Sequence, residues 1–323
     1  AAKDMEQEII RLKLQGIQGL VIDLRNNGGG SLQTVVQMAG FFIDEGPVVQ
    51  VKTSDKGSKV LKDRDGKTLW DGPLVIMVNE ISASASEILA AAMQDYERAV
   101  VLGSKQTFGK GTVQNIIELN RFVSKSTYGD LGALKFTTEK FYRITGKSTQ
   151  LEGVYSDVVV PDQYAYVNIG EKDEENPLAW DQIPTTSFSK WKGYQNYQQV
   201  IEKSTSRVAN DTLFQLIDKN SKWVRQQQDK NIFTLNYKIF SSELSKDKSF
   251  ADQFETLNEY SNSLKFKSLP YELIKMKSDT ILAEKRKRWQ KSLNKDMYVN
   301  EAVSILEELD LNFIGKKPLA LQR

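Results

Sequence analysis

The chain has 323 residues, enough for two ordinary domains, and its 44 lysines and arginines against 42 acidic residues leave a net charge of only +2. That balance gives no electrostatic footprint for nucleic acid. Histidine and cysteine are both absent, which removes Ser-His-Asp triads, imidazole and thiolate metal sites, thiol catalysis and disulfides.

No run approaches the roughly 20 apolar residues that cross a bilayer, and no signal peptide is visible. The opening Ala1-Ala2-Lys3-Asp4-Met5-Glu6 reads as the middle of a helix, so the expectation is a fragment that lacks its N-terminal part. Met5, Ile9, Ile10, Leu12 and Leu14 among charges predict an amphipathic helix over 4–15. Leu20 to Leu24 is an apolar run expected as a buried strand, ended by the loop Arg25 to Ser31. Leu32 to Phe42 reads as helix, Val48 to Val51 as strand, and the polar stretch 54–72 as a hairpin or excursion. Leu74 to Val78 is a second buried strand, followed by an Ala-rich helix over Ser86 to Tyr96 and a short strand over Ala99 to Leu102. Further strands are expected at 113–119, 133–144 and 158–160. The alternation argues an α/β core. Pro177, Pro184 and acidic and Ser/Thr clusters mark a linker near 166–190. Polar, helical patterning follows, with Trp191, Trp223 and Trp289 as apolar anchors. The run Lys285-Arg286-Lys287-Arg288 reads as a solvated helix face.

Three segments carry chemistry. Ser82-Ala83-Ser84-Ala85-Ser86-Glu87 follows a strand and opens a helix. A serine there meets free N–H groups and the helix dipole, which favour an alkoxide or oxyanion. The same run fits an N-cap cluster with Glu87 closing a capping box, and Ser82 could cap while Ser84 attacks. A nucleophilic serine needs a base. Without histidine the leading candidate is a lysine, which works only when neutral, a form that burial favours. Lys110, between Gly109 and Gly111 and beside Phe108, sits in a tight turn ahead of a strand. A phosphate loop does not fit this segment, because its spacing is wrong and Gly111 follows the lysine. Asn26-Asn27-Gly28-Gly29-Gly30 can aim backbone N–H groups at a ligand.

Together these segments resemble the C-terminal processing peptidases, in their tail-specific protease branch. The matching stretches are Val21 to Gly30, Ser82 to Glu87 continuing to Ala92-Met93-Gln94-Asp95-Tyr96, and Thr107 to Gln114. The resemblance implies a crotonase-like α/β peptidase core over 1–165, a linker over 166–190 and a mainly helical accessory domain over 191–323. It implies a Ser/Lys endopeptidase with Ser84 as nucleophile, Lys110 as general base and Gln114 orienting the lysine. The Ala85 N–H and a glycine of Gly28–Gly30, taken as Gly29 or Gly30, would form the oxyanion hole. Glu87 and Asp95 are expected in support. Asp95 lies eleven residues beyond Ser84, roughly 16 Å along a helix, so it is expected to brace the junction before Ala99 with Arg98 rather than to touch the serine. No metal and no cofactor are expected. Members of the family usually carry a substrate-capturing PDZ domain before the first motif, and the expectation is that this sequence is without one. The implied partners are unfolded or tailed protein substrates and an adaptor protein, in a periplasmic or otherwise exported setting. The alternative is a catalytically inactive peptide-binding fragment of the same fold.

Overall fold

The structure is a computed structural model that describes residues 1–53, 57–123 and 129–314. The strands are β1 (Leu20–Asp23), β2 (Gly46–Thr53), β3 (Gly57–Asp63), β4 (Leu74–Val78), β5 (Val100–Gly103), β6 (Thr112–Glu118), β7 (Ala133–Tyr142) and β8 (Val158–Val159). They form two sheets. One is parallel in the order β1-β4-β5-β8, and the other is antiparallel in the order β3-β2-β7-β6. The helices of the first half are α1 (Ala2–Leu14), α2 (Leu32–Gly40) and α3 (Ala85–Asp95), and those of the second are α4 (Tyr197–Asn210), α5 (Thr212–Asp229), α6 (Tyr237–Ala251), α7 (Thr256–Glu259), α8 (Pro270–Ser278), α9 (Thr280–Asn294) and α10 (Met297–Leu311).

The parallel sheet is covered on both faces, which is why β4 reads as an unbroken apolar run. Leu74, Ile76 and Val78 point into one core with Val48, Val49 and Val51 of β2, Val36 and Ala39 of α2, and Leu89 and Met93 of α3. Val75 and Met77 point the other way, with Val100 and Leu102, into a second core. That second core is closed by α4 (Tyr197–Asn210), α5 (Thr212–Asp229) and α10 (Met297–Leu311), through Val200, Phe214, Ile305 and Leu309. The helical region, read from sequence as an accessory domain, supplies one of the two walls of the central sheet.

Other differences from the sequence reading have simple causes. β1 is only partly buried, because it is the outer strand of its sheet. The polar excursion is the β2–β3 hairpin, paired from Gly46↔Asp63 to Thr53↔Gly57; its residues 54–56 lie outside the described residues. The stretch 166–190 lacks regular structure apart from a short 3-10 turn at Glu171–Asp173, yet it is strapped to the core. Trp180 Nε1 donates to the Ser148 carbonyl at 3.0 Å, Ile183 N–H to Gly146 O at 2.9 Å and Thr186 N–H to Ile144 O at 2.9 Å. Trp191 is an anchor, edge-on to Tyr194, stacked on Phe313 and under the Arg98 guanidinium at 4.4 Å. Trp223 packs on Phe250 and Phe254. Trp289 anchors nothing comparable, being half exposed on α9 (Thr280–Asn294). Lys285, Lys287 and Arg288 on that helix face solvent, and Arg286 pairs with Glu272. Among the described residues no helix is long and apolar enough to cross a membrane.

Candidate active site

Ser84 closes the turn after β4 and stands at the N-cap of α3 with φ 56° and ψ −114°. A positive φ is costly for a residue with a side chain, on the order of 1–3 kcal/mol, and persists only where surroundings enforce it. Two sets of contacts do so here. Ser82, fully buried, donates its hydroxyl to Leu24 O at 2.8 Å and accepts from Asn79 N–H at 2.9 Å. It ties the turn to β1 and does not cap the helix. Glu87 Oε2 accepts the Ser84 N–H at 2.7 Å.

Glu87 does more than complete a cap. Its carboxyl is fully buried and also accepts from Thr107 Oγ1 at 2.6 Å, Gly109 N–H at 2.7 Å and Lys110 N–H at 3.0 Å. One side chain thus binds the backbone of both Ser84 and Lys110. Burial pushes this carboxyl up to about 7, against the pull of its four hydrogen-bond donors. The Lys110 turn is fixed further by Phe108 N–H on Ser82 O at 3.0 Å and Gly111 N–H on Gln150 Oε1 at 2.9 Å. Gly109 has φ 89°, and a Cβ there would press on the Leu151 backbone at 2.9 Å, so the turn requires glycine. Beyond it, Lys110 Nζ donates to Gln114 Oε1 at 3.2 Å.

Ser84, Lys110 and Gln114 line one cleft of about 290 Å³ with Gly28, Gly30, Ala85 and Val113. A larger cavity of about 510 Å³, at the C-terminal ends of β1, β4 and β5, contains neither Ser84 nor Lys110. The Ala85 N–H opens α3 and has no intrahelical acceptor. Gly29 has φ 99° and packs so closely under the nucleophile turn that a Cβ would lie 2.8 Å from Ala85 N. Its own N–H is taken by Asn27 Oδ1 at 2.9 Å. Gly30 faces the cleft and Gly29 supports it from behind. The loop is pinned by Ala83 N–H and Ser86 Oγ, both donating to Asn27 O at 3.0 Å, and by the Asn26–Asn79 pair.

Asp95 lies outside this cleft, at the far end of α3. It does not pair with Arg98. Its Oδ1 meets Arg143 Nη2 at 2.6 Å in a largely buried ion pair, and burial raises its carboxyl while Arg143 lowers it. Arg98 is itself buried, donating to Phe42 O at 2.9 Å and Trp70 O at 2.7 Å. Asn79 was not singled out from sequence, and Thr107 and Asn27 stood only as members of their motifs with no role of their own. Their partners lie 20 to 59 residues away, beyond any local pattern.

The arrangement offers a hydroxyl at a helix N-terminus, an amine with a single oriented acceptor and free N–H groups, which together suit attack on a carbonyl. Residues 1–160 match the model of peptidase family S41, and residues 164–310 match the C-terminal domain of tail specific protease. The chain belongs to peptidase family S41, in its tail-specific branch. It is 40% identical over 261 residues to the tail-specific protease of Haemophilus influenzae, covering 80% of this chain and 37% of that protein. A carboxyl-terminal-processing protease of Synechocystis is 41% identical over 120 residues, or 37% of this chain and 28% of the relative. Among solved structures, the photosystem II D1 C-terminal processing protease is 32% identical over 49% of this chain and 39% of its own, with a TM-score of 0.43. The chain spans little more than a third of the length of the curated relatives it matches.

Proposed function

We propose that this protein is a serine endopeptidase that cleaves unfolded or tailed proteins, with Ser84 as nucleophile and Lys110 as general base. The observation that carries the reading is Glu87, whose single carboxyl binds the Ser84 and Lys110 backbones at one cleft. Neutral Lys110 Nζ takes the Ser84 Oγ proton as that oxygen bonds to the scissile carbonyl carbon. The Ala85 N–H and the Gly30 N–H hold the oxyanion. Lys110 then gives its proton to the leaving amine, and water deprotonated by the same amine releases the acyl group. Gln114 orients the amine. We assign the peptidase core to 1–165, a linker to 166–190 and the helical region to 191–323. Substrates selected by their C-terminal tails, delivery by an adaptor and an exported, periplasmic setting belong to the same proposal.

The test is incubation with an unfolded protein, with mass spectrometry of the products. Wild type should give discrete fragments. Ser84→Ala and Lys110→Ala should each lower the rate more than about 1,000-fold with the fold intact, because such a pair acts as a unit. Intact substrate with wild type, or cleavage by folded Ser84→Ala, would contradict the proposal.

A further inference from the structure

Arg25 lies two residues beyond the end of β1 and opens the glycine loop of the cleft. Its guanidinium reaches Asp23 through Nε and Nη2, at 2.9 and 2.7 Å, and Asp296 Oδ2 through Nη2 at 2.7 Å. Asp296 is the N-cap of α10, and its Oδ1 also accepts from Tyr298 N–H at 3.0 Å and Val299 N–H at 3.1 Å. Arg25 and Asp296 side chains are 21% and 18% exposed, on the wall of the 510 Å³ cavity. One residue further on, Asn26 and Asn27 fasten the same loop to the nucleophile turn. The Asp296–Arg25 pair, and the backbone step from Arg25 to Asn26, therefore link the helical region to the loop that carries Gly29 and Gly30.

This bond is not needed to dock the helical region. Val200, Phe214, Ile305 and Leu309 already bury that region against the sheet, and the burial outweighs one partly exposed ion pair. What the pair adds is a fixed place for the Arg25 side chain where β1 hands the chain to the glycine loop, beside the bonds that hold Leu24 and Asn26. Arginine suits that task, because its planar fork holds two carboxylates in set directions. We infer that Asp296, acting through Arg25, is a positioning residue for the cleft, so that the helical region sets the geometry of the oxyanion-binding loop. This rests on the peptidase reading for its kinetic consequence, not for its structural one.

Asp296→Asn separates positioning from capping. Asparagine caps helices as well as aspartate but brings no charge to Arg25. The variant should keep a melting midpoint close to wild type and lose about tenfold in kcat on a peptide amide at unchanged KM. Its Gly28–Gly30 amides should exchange hydrogen faster than in wild type. Arg25→Gln should give the same losses, and the double variant should be no worse than either single one. Wild-type kcat in folded Asp296→Asn, or single losses that multiply, would overturn the inference, as would unchanged exchange at Gly28–Gly30. The exchange measurement decides the positioning claim even where the peptide is not cleaved, so failure of the peptidase reading shows up separately.

Discussion

The two faces of the parallel sheet do different work. One face packs α2 and α3, and the turn between β4 and α3 presents Ser84. The other face packs α4, α5 and α10, none of which contributes a residue to the cleft. Stability is drawn from both halves of the chain, whereas the cleft is built from residues 28–141 alone. Residues far from a reaction can thus be indispensable to it by completing the core. The Arg25–Asp296 bond is where the second face is also expected to touch the geometry of the first.

The largest effect that sharpens this comparison is expected at Ile305, fully buried on α10. Ile305→Ala should cost about 4 kcal/mol in urea unfolding, the cost of a cavity in a core. Trp289→Ala, on the outlying and half-exposed face of α9, should cost within about 0.5 kcal/mol. Equal losses would mean that α10 is not structurally continuous with the sheet.

A smaller effect, confined to the first face, comes from Glu87. Its carboxyl lies at about 7 in the folded protein against an ordinary 4.5. Between those values the folded state binds more protons than the unfolded one, so this group's contribution to stability falls as pH rises. The free-energy gap between wild type and Glu87→Gln should therefore shrink by up to about 3 kcal/mol from pH 4 to pH 8. Urea midpoints at both pH values check this, and a gap that widens with pH would reverse the assignment.

The legible parts of the molecule were those written in short stretches of chain. The apolar run Leu74 to Val78 announced a strand covered on both faces, and the structure buries all five residues. Ser84, Lys110 and Gln114 lie in the short motifs that carry the family resemblance, and the cleft brings the three together. What sequence did not reveal depends on distant partners. Glu87 looked like a capping-box residue because only its bond to Ser84 is local; its other donors stand 20 to 23 residues on. Asp95 was matched to nearby Arg98 when its partner is Arg143, 48 residues away. The helical region read as accessory because its sequence is mostly polar, while the side chains that close the core are few. Asp296 gave no signal at all, since its significance lies in a bond spanning 271 residues.

The central claim, that Ser84 is a nucleophile activated by Lys110, is tested most directly by labelling with a fluorophosphonate and mapping the modified peptide. Wild type should carry the label on Ser84, and folded Lys110→Ala should label at least about 100-fold more slowly. A label on Ser82 or Ser86, no label on wild type, or a rate that Lys110→Ala leaves unchanged would contradict the account.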